Sequence, residues 1–127
     1  MAKLLDKNLS IIIPHLHGFS ILDECLTSII QYTEHVHYEI IVINNNSSDG
    51  SIEKIKKKFS DIIILDSDIN RGYAGGCNLG AKNALGEYLL FLNNDTIITE
   101  GSIEKLLSEI KTNENISSVQ PKIKNYH

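Results

Sequence analysis

Runs of bulky apolar residues punctuate the chain, and each breaks off into polar side chains. Leu9-Ser10-Ile11-Ile12-Ile13-Pro14 is the first, closed by proline. Glu39-Ile40-Ile41-Val42-Ile43, Ile62-Ile63-Ile64-Leu65 and Tyr88-Leu89-Leu90-Phe91-Leu92 follow. The last run, of that length and without alternation, suits a strand buried on both faces, as in a parallel sheet covered by helices, and the others read as further strands. Ser118-Val119-Gln120-Pro121-Lys122-Ile123 reads as the start of a fifth strand, weakened by a proline that cannot donate to a ladder. Between the runs, apolar residues recur at helical spacing. Ile21, Leu22, Cys25, Leu26, Ile29 and Ile30 form one stripe, Ile52, Ile55 and Phe59 a second, and Ile103, Leu106, Leu107 and Ile110 another. Ser20, with Asp23 three residues on, reads as a capping box for the first helix. Strand and helix alternate every ~25 to 30 residues, the size of a βαβ unit. Right-handed crossovers then place helices on both faces of a mostly parallel sheet. The predicted fold is α/β and Rossmann-like.

Composition narrows this picture without redirecting it. A length of 127 residues predicts one domain, residues 1–127. A net charge of −4 argues against nucleic acid as a partner, since phosphate backbones require a basic surface. Lys54, Lys56, Lys57 and Lys58 read as the solvated, C-terminal face of a helix. Cys25 and Cys77 make no disulfide framework and fit a reducing, cytoplasmic setting. Met1 to Asn8 is short and mixed, unlike a signal peptide, and no apolar run approaches the ~20 residues that span a bilayer.

Candidate chemistry gathers where the strands stop, because ligands in open α/β sheets bind outside the carboxyl ends of the strands. Asn93-Asn94-Asp95 ends the fourth run. One carboxylate beside amide oxygens suits a divalent cation that keeps waters and a substrate phosphate; the same residues are also ordinary turn formers. Asn44 to Asp49 offers short donors and acceptors that can read a base edge or ribose hydroxyls. Asp49 is expected to cap the following helix, with Asn44 and Asn45 facing the site. Gly72, Gly75, Gly76 and Gly80 allow close approach of a ligand or of a packed neighbour. That stretch is neither a Walker A loop nor a dinucleotide fingerprint. The pairs His15/His17 and His35/His37 supply only half a zinc site each, with no cysteine cluster to complete it.

Ser10-Ile11-Ile12-Ile13-Pro14, Ile43-Asn44-Asn45-Asn46-Ser47-Ser48-Asp49-Gly50-Ser51, Asn70-Arg71-Gly72-Tyr73-Ala74-Gly75-Gly76-Cys77-Asn78-Leu79-Gly80 and Leu92-Asn93-Asn94-Asp95, in that order, resemble the family 2 glycosyltransferases of GT-A fold. The likeness is greatest to the rhamnosyltransferase-like bacterial branch and covers nearly the whole chain. It implies inverting transfer of a sugar from a nucleoside diphosphate donor, such as a UDP- or dTDP-sugar, to an acceptor glycan, with Mg²⁺ or Mn²⁺ and a link to cell-surface polysaccharide synthesis. By the resemblance, Pro14 and His15 border the nucleoside, Asn44, Asn45 and Asp49 hold base and ribose, and Arg71, Asn78 and Asn94 lie near the nucleotide. Asn93-Asn94-Asp95 occupies the family's Asp-x-Asp position, so Asp95, helped by Asn93, binds the metal.

The chain departs from the family pattern at Asn44, often Asp in the family, at Asn93, which replaces the first Asp, and at His15 and His17, which replace Asn-Tyr-Asn. The family also continues into an acceptor-binding half carrying the general base. This chain is therefore expected to be the nucleotide-sugar-binding half, cytoplasmic or peripheral at the inner membrane face. The alternative is a binding module that transfers nothing by itself. Uncovered sheet edge and apolar surface would favour a homo-oligomer.

Overall fold

The structure is a computed structural model that describes residues 8–125; most of the stretch read as unlike a signal peptide lies outside them. Its elements run β1 (Leu9–His15), α1 (Phe19–Tyr32), β2 (Tyr38–Asn44), α2 (Ser51–Lys58), β3 (Ile63–Asp66), α3 (Gly72–Asn83), β4 (Tyr88–Phe91) and α4 (Ser102–Lys111). The strands form one sheet in the order β3-β2-β1-β4, with every pairing parallel. The order reverses at β1, which places the crevice of such a sheet between β1 and β4.

The two faces of β1 explain the layers. Ile11 and Ile13 point into a large core with Leu22, Cys25, Leu26 and Ile29 of α1, Ile52 and Ile55 of α2, and Ile103 and Leu107 of α4. Ile12 points the other way and packs with Ile41 and Ile43 against Leu79 and Ala81 of α3. The isoleucines at 11, 12 and 13 are fully buried, each contributing about 1.5–3 kcal/mol. α3 sits close because Gly80 faces the sheet: a Cβ there would collide with Ile12 Cγ2 and come within 3.3 Å of Ile43 Cδ1. Among the described residues, no helix is long and apolar enough to cross a membrane.

Several expectations are corrected. Ser118–Ile123 forms no strand; Pro121 withholds a donor, and the segment passes beside α4 instead. β4 is not buried on both faces. Tyr88 and Leu90 pack on the large core, whereas Leu89 and Phe91 are 42% and 45% exposed beside α3. α3 covers β1 and β2 but stops short of that edge. Ile21 and Ile30, placed by spacing on the buried stripe of α1, are exposed. Ser20 does not cap α1. Gly18 holds the N-cap with φ 103°, and its N–H is taken by Asp49 Oδ2 at 2.7 Å, a carboxylate from another loop.

Candidate functional site

Parallel pairing continues past the strand ends and starts the polar loops side by side. Asn45 N–H donates to the His15 carbonyl at 2.9 Å, Leu92 N–H to the Ile12 carbonyl at 2.9 Å, and Ser67 N–H to the Asn44 carbonyl at 3.0 Å. The chain leaving β1, β2, β3 and β4 therefore opens on one rim.

His15, the last residue of β1, lies beneath that rim and is 1% exposed. Its Nε2 is 2.7 Å from Ser51 Oγ and its Nδ1 is 3.1 Å from Asn94 Nδ2. The direction of the bonds follows from Asp49, which as a carboxylate only accepts. Ser51 Oγ donates to Asp49 Oδ1 at 2.5 Å, so its lone pair receives the Nε2–H of His15. Nδ1 is then bare and accepts from Asn94. Burial lowers the His15 pKa below 6.5, opposed by Asp49 and reinforced by His17. Asp49 gathers several donors at once. The Ser51 hydroxyl first, then the Gly18 N–H, hold its carboxyl well below the usual carboxylate range. It is not the N-cap expected of it, since Gly50 holds that position, but it accepts from Ser51 N–H at 3.0 Å at the start of α2.

Asn44 and Asn45 divide their work. Asn45 is 4% exposed; its Nδ2 donates to the Gly72 carbonyl at 3.1 Å and its Oδ1 accepts from Arg71 N–H at 3.3 Å. It therefore ties the start of α3 to β2. Asn44 is half-buried, with Oδ1 accepting from Ser47 N–H and Nδ2 donating to Asp66 Oδ1, both over 2.9 Å. Arg71 is exposed, its Nε bonded to Ser67 Oγ at 2.9 Å. Pro14 is buried and lies 3.1 Å from where a Cβ on Gly76 would stand. Asn78 is exposed on α3. It is two residues from both Gly76 and Gly80, which face the sheet, and at 100° per residue that turns it away from the sheet.

The turn after β4 brings Asn94, half-buried, onto His15, and leaves Asn93 and Asp95 exposed beside it. Beneath it, Cys25 Sγ donates to the Asn93 carbonyl at 3.8 Å, and burial pushes this thiol up to about 12. Among the described residues, no three His, Cys, Asp or Glu side chains gather into a metal cage. The donor set at Asn93–Asp95 is one exposed carboxylate with adjacent amide oxygens. That set fits a hard divalent cation completed by water and substrate oxygens, and does not fit one held by protein alone.

Three contributors escaped sequence reading: Ser51, which joins His15 to Asp49; Asp66, brought to the rim by the β2–β3 register Asn44↔Asp66; and Ser67, which orients Arg71. A carboxylate closing an apolar strand at Leu65-Asp66 was the available signal for the second.

The comparisons with known proteins agree on what this scaffold is. The family model described as Glycosyl transferase family 2 matches residues 10–126. Poly-beta-1,6-N-acetyl-D-glucosamine synthase of Staphylococcus epidermidis is 34% identical over 108 residues, 82% of this chain and 26% of the relative. Poly(ribitol-phosphate) beta-glucosyltransferase of Bacillus spizizenii is 31% identical over 111 residues, 84% of this chain and 18% of the relative. The chain thus spans at most 26% of the length of either of these relatives. Among solved structures, S. aureus TarS superposes with a TM-score of 0.70 at 23% identity, over 82% of this chain and 32% of that one. The mannosyltransferase PcManGT of Pyrobaculum calidifontis, in complex with GDP-Man and Mn²⁺, gives 0.76 at 16% identity, over 86% of this chain and 33% of that one. Those two likenesses bear on the fold alone. With its parallel sheet, its loops opening on one edge, and a family match running almost end to end, this chain belongs to glycosyl transferase family 2.

Proposed function

We propose that this chain binds a nucleoside diphosphate sugar across the β1/β4 crevice and presents it for inverting transfer to an acceptor hydroxyl. The observation carrying this reading is the 3.1 Å contact between Asn94 and His15, which sets the carboxylate-bearing turn against the tips of β1 and β2. Asp66, held by Asn44, then faces the nucleoside with an acceptor, Asp49 stands beside it at the rim, Arg71 and Asn94 lie toward the diphosphate, and Pro14, His15 and Asn45 form the floor. Asn78 is kept near the nucleotide only as an outer-rim contact. Relatives named for glucosaminyl and glucosyl polymer synthesis, and neighbouring structures in complex with UDP-GlcNAc and GDP-Man, support a nucleotide-sugar donor.

Asp95, with Asn93, is the place for Mg²⁺ or Mn²⁺. A cation there, when bound, would stabilise the negative charge that develops on a departing diphosphate. Because Asp95 is committed to that role, it is not the base that deprotonates the acceptor. Titration with UDP and dTDP, with and without Mn²⁺, tests the reading. Binding strengthened by Mn²⁺, with the strengthening abolished by Asp95→Ala, supports it; a folded sample that binds neither nucleotide refutes it.

A further inference from the structure

One chain of hydrogen bonds crosses the site, buried at His15 and Ser51 and reaching the surface at the exposed carboxylate of Asp49. It runs from Asn94 to His15, from His15 to Ser51, and from Ser51 to Asp49. Asp49 closes it by accepting the Gly18 N–H, so the loops after β1, β2 and β4 are joined through one imidazole. Packing alone would not demand this. A buried histidine is costly unless both nitrogens are satisfied, and here each is satisfied by a different loop. The acceptor-only carboxylate at one end makes every bond point the same way. Reversing any link would set two donors or two acceptors against each other.

We infer that His15 is a positioning residue: its Nε2-protonated ring is the strut that fixes the Asn93–Asp95 turn against the Ser47–Ser51 loop, and thereby fixes where the Asp95 carboxylate stands. The role of Asp95 rests on the function proposed above; the strut itself does not. The two nitrogens have separate duties. Nδ1 holds the turn, while Nε2 anchors the ring to Ser51.

Two substitutions separate these duties. In His15→Asn, the side-chain amide oxygen falls near the place of Nδ1 and keeps an acceptor for Asn94. In His15→Gln, the amide nitrogen falls near the place of Nε2 and keeps only the donor to Ser51. Thr96 N–H, bonded to the Asn93 carbonyl at 3.2 Å, reports on the turn, and Leu92 N–H, bonded to the Ile12 carbonyl, reports on the sheet. Hydrogen exchange at Thr96 is expected to quicken about tenfold in His15→Gln, the loss of one buried hydrogen bond. It should stay near wild type in His15→Asn, and Leu92 should stay protected in both. Equal exchange at Thr96 in the two variants, or loosening at Leu92 to the same extent, overturns the strut.

With ligand, the strengthening of UDP binding by Mn²⁺, taken as a ratio to the same variant's metal-free binding, should shrink in His15→Gln about as far as in Asp95→Ala. A full Mn²⁺ effect in a folded His15→Gln protein overturns the link to Asp95. Should the wild-type chain bind no UDP, the functional reading fails, and the exchange comparison still decides the strut. Should the variants not fold, ¹⁵N shifts of the wild-type ring decide it: a bare Nδ1 and a protonated Nε2 are expected, and a protonated Nδ1 refutes it.

Discussion

Asn44 and Asp66 stand opposite one another in the register of β2 and β3, and their side chains meet, Asn44 Nδ2 donating to Asp66 Oδ1 over 2.9 Å. The other end of Asn44 is held by Ser47 N–H. An amide so fully engaged has little left for a ligand. It fixes the exposed carboxylate of Asp66, which has acceptor capacity to spare. A carboxylate thus stands one strand away from Asn44, at the same level of the sheet.

Asp66→Ala is therefore expected to weaken UDP binding more than Asn44→Ala does, by about tenfold for loss of a charge-assisted hydrogen bond. Calorimetry on both variants checks this. Equal affinity of Asp66→Ala and wild type would remove Asp66 from the nucleoside contacts.

Acid should act on this fold in two separate windows. His15 takes up a proton less readily folded than unfolded, chiefly because it is buried. Its contribution to stability is thus complete above its ordinary value of 6.5 and is lost as pH falls through the lower, folded value. Asp49 behaves likewise around a lower point: its contribution is complete above its ordinary 3.8 and fails only below it. Urea midpoints should drop in the wild type as pH falls below the ordinary 6.5 of histidine. His15→Asn should start lower, because of the space it leaves, and show a flatter slope over the same range.

Much of the fold could be read directly from where apolar runs stop. Ile11, Ile12 and Ile13 could only be a strand with cover on both faces, and the polar residues just beyond such strands had to meet at one edge. What stayed hidden depended on partners distant in the chain. The Asn44–Asp66 pair exists only through the β2–β3 register, and Ser51 becomes important only because His15 ends β1 beneath it. Ser20 reads locally as a cap, yet the helix begins one residue earlier and borrows Asp49 from 31 residues away. Local preference lost there to a stronger, charged acceptor. The buried reading of Leu89 and Phe91 failed for a similar reason: burial belongs to whatever covers a strand, and α3 lies over β1 and β2.

Two glycines on α3 should behave differently. At Gly80 a methyl group would run into Ile12 Cγ2, inside a packed core. Gly80→Ala should cost about 1–3 kcal/mol of stability by overpacking. At Gly76 the methyl would press on Pro14 Cβ at 3.1 Å and Asn45 Nδ2 at 3.2 Å, both in the floor of the site. Gly76→Ala should therefore weaken nucleotide binding by more than its effect on the urea midpoint accounts for. A binding loss that merely tracks the lost stability in both variants would refute the distinction.

The outer edge of β4 tests the expectation of self-association. Among the described residues, β4 pairs only with β1. Leu89 and Phe91 stand exposed along the same strand. An open parallel edge carrying exposed apolar side chains is a template for another chain. Light scattering should show a mass that rises with concentration. Phe91→Lys should suppress that rise, placing a charge on the edge while changing stability by no more than about 0.5 kcal/mol, as expected of an exposed position. Phe91 is 45% exposed, so a large loss of stability would mean that this face is covered by some other part of the same molecule. A constant monomer mass across the whole concentration range would show that the edge is protected without a partner.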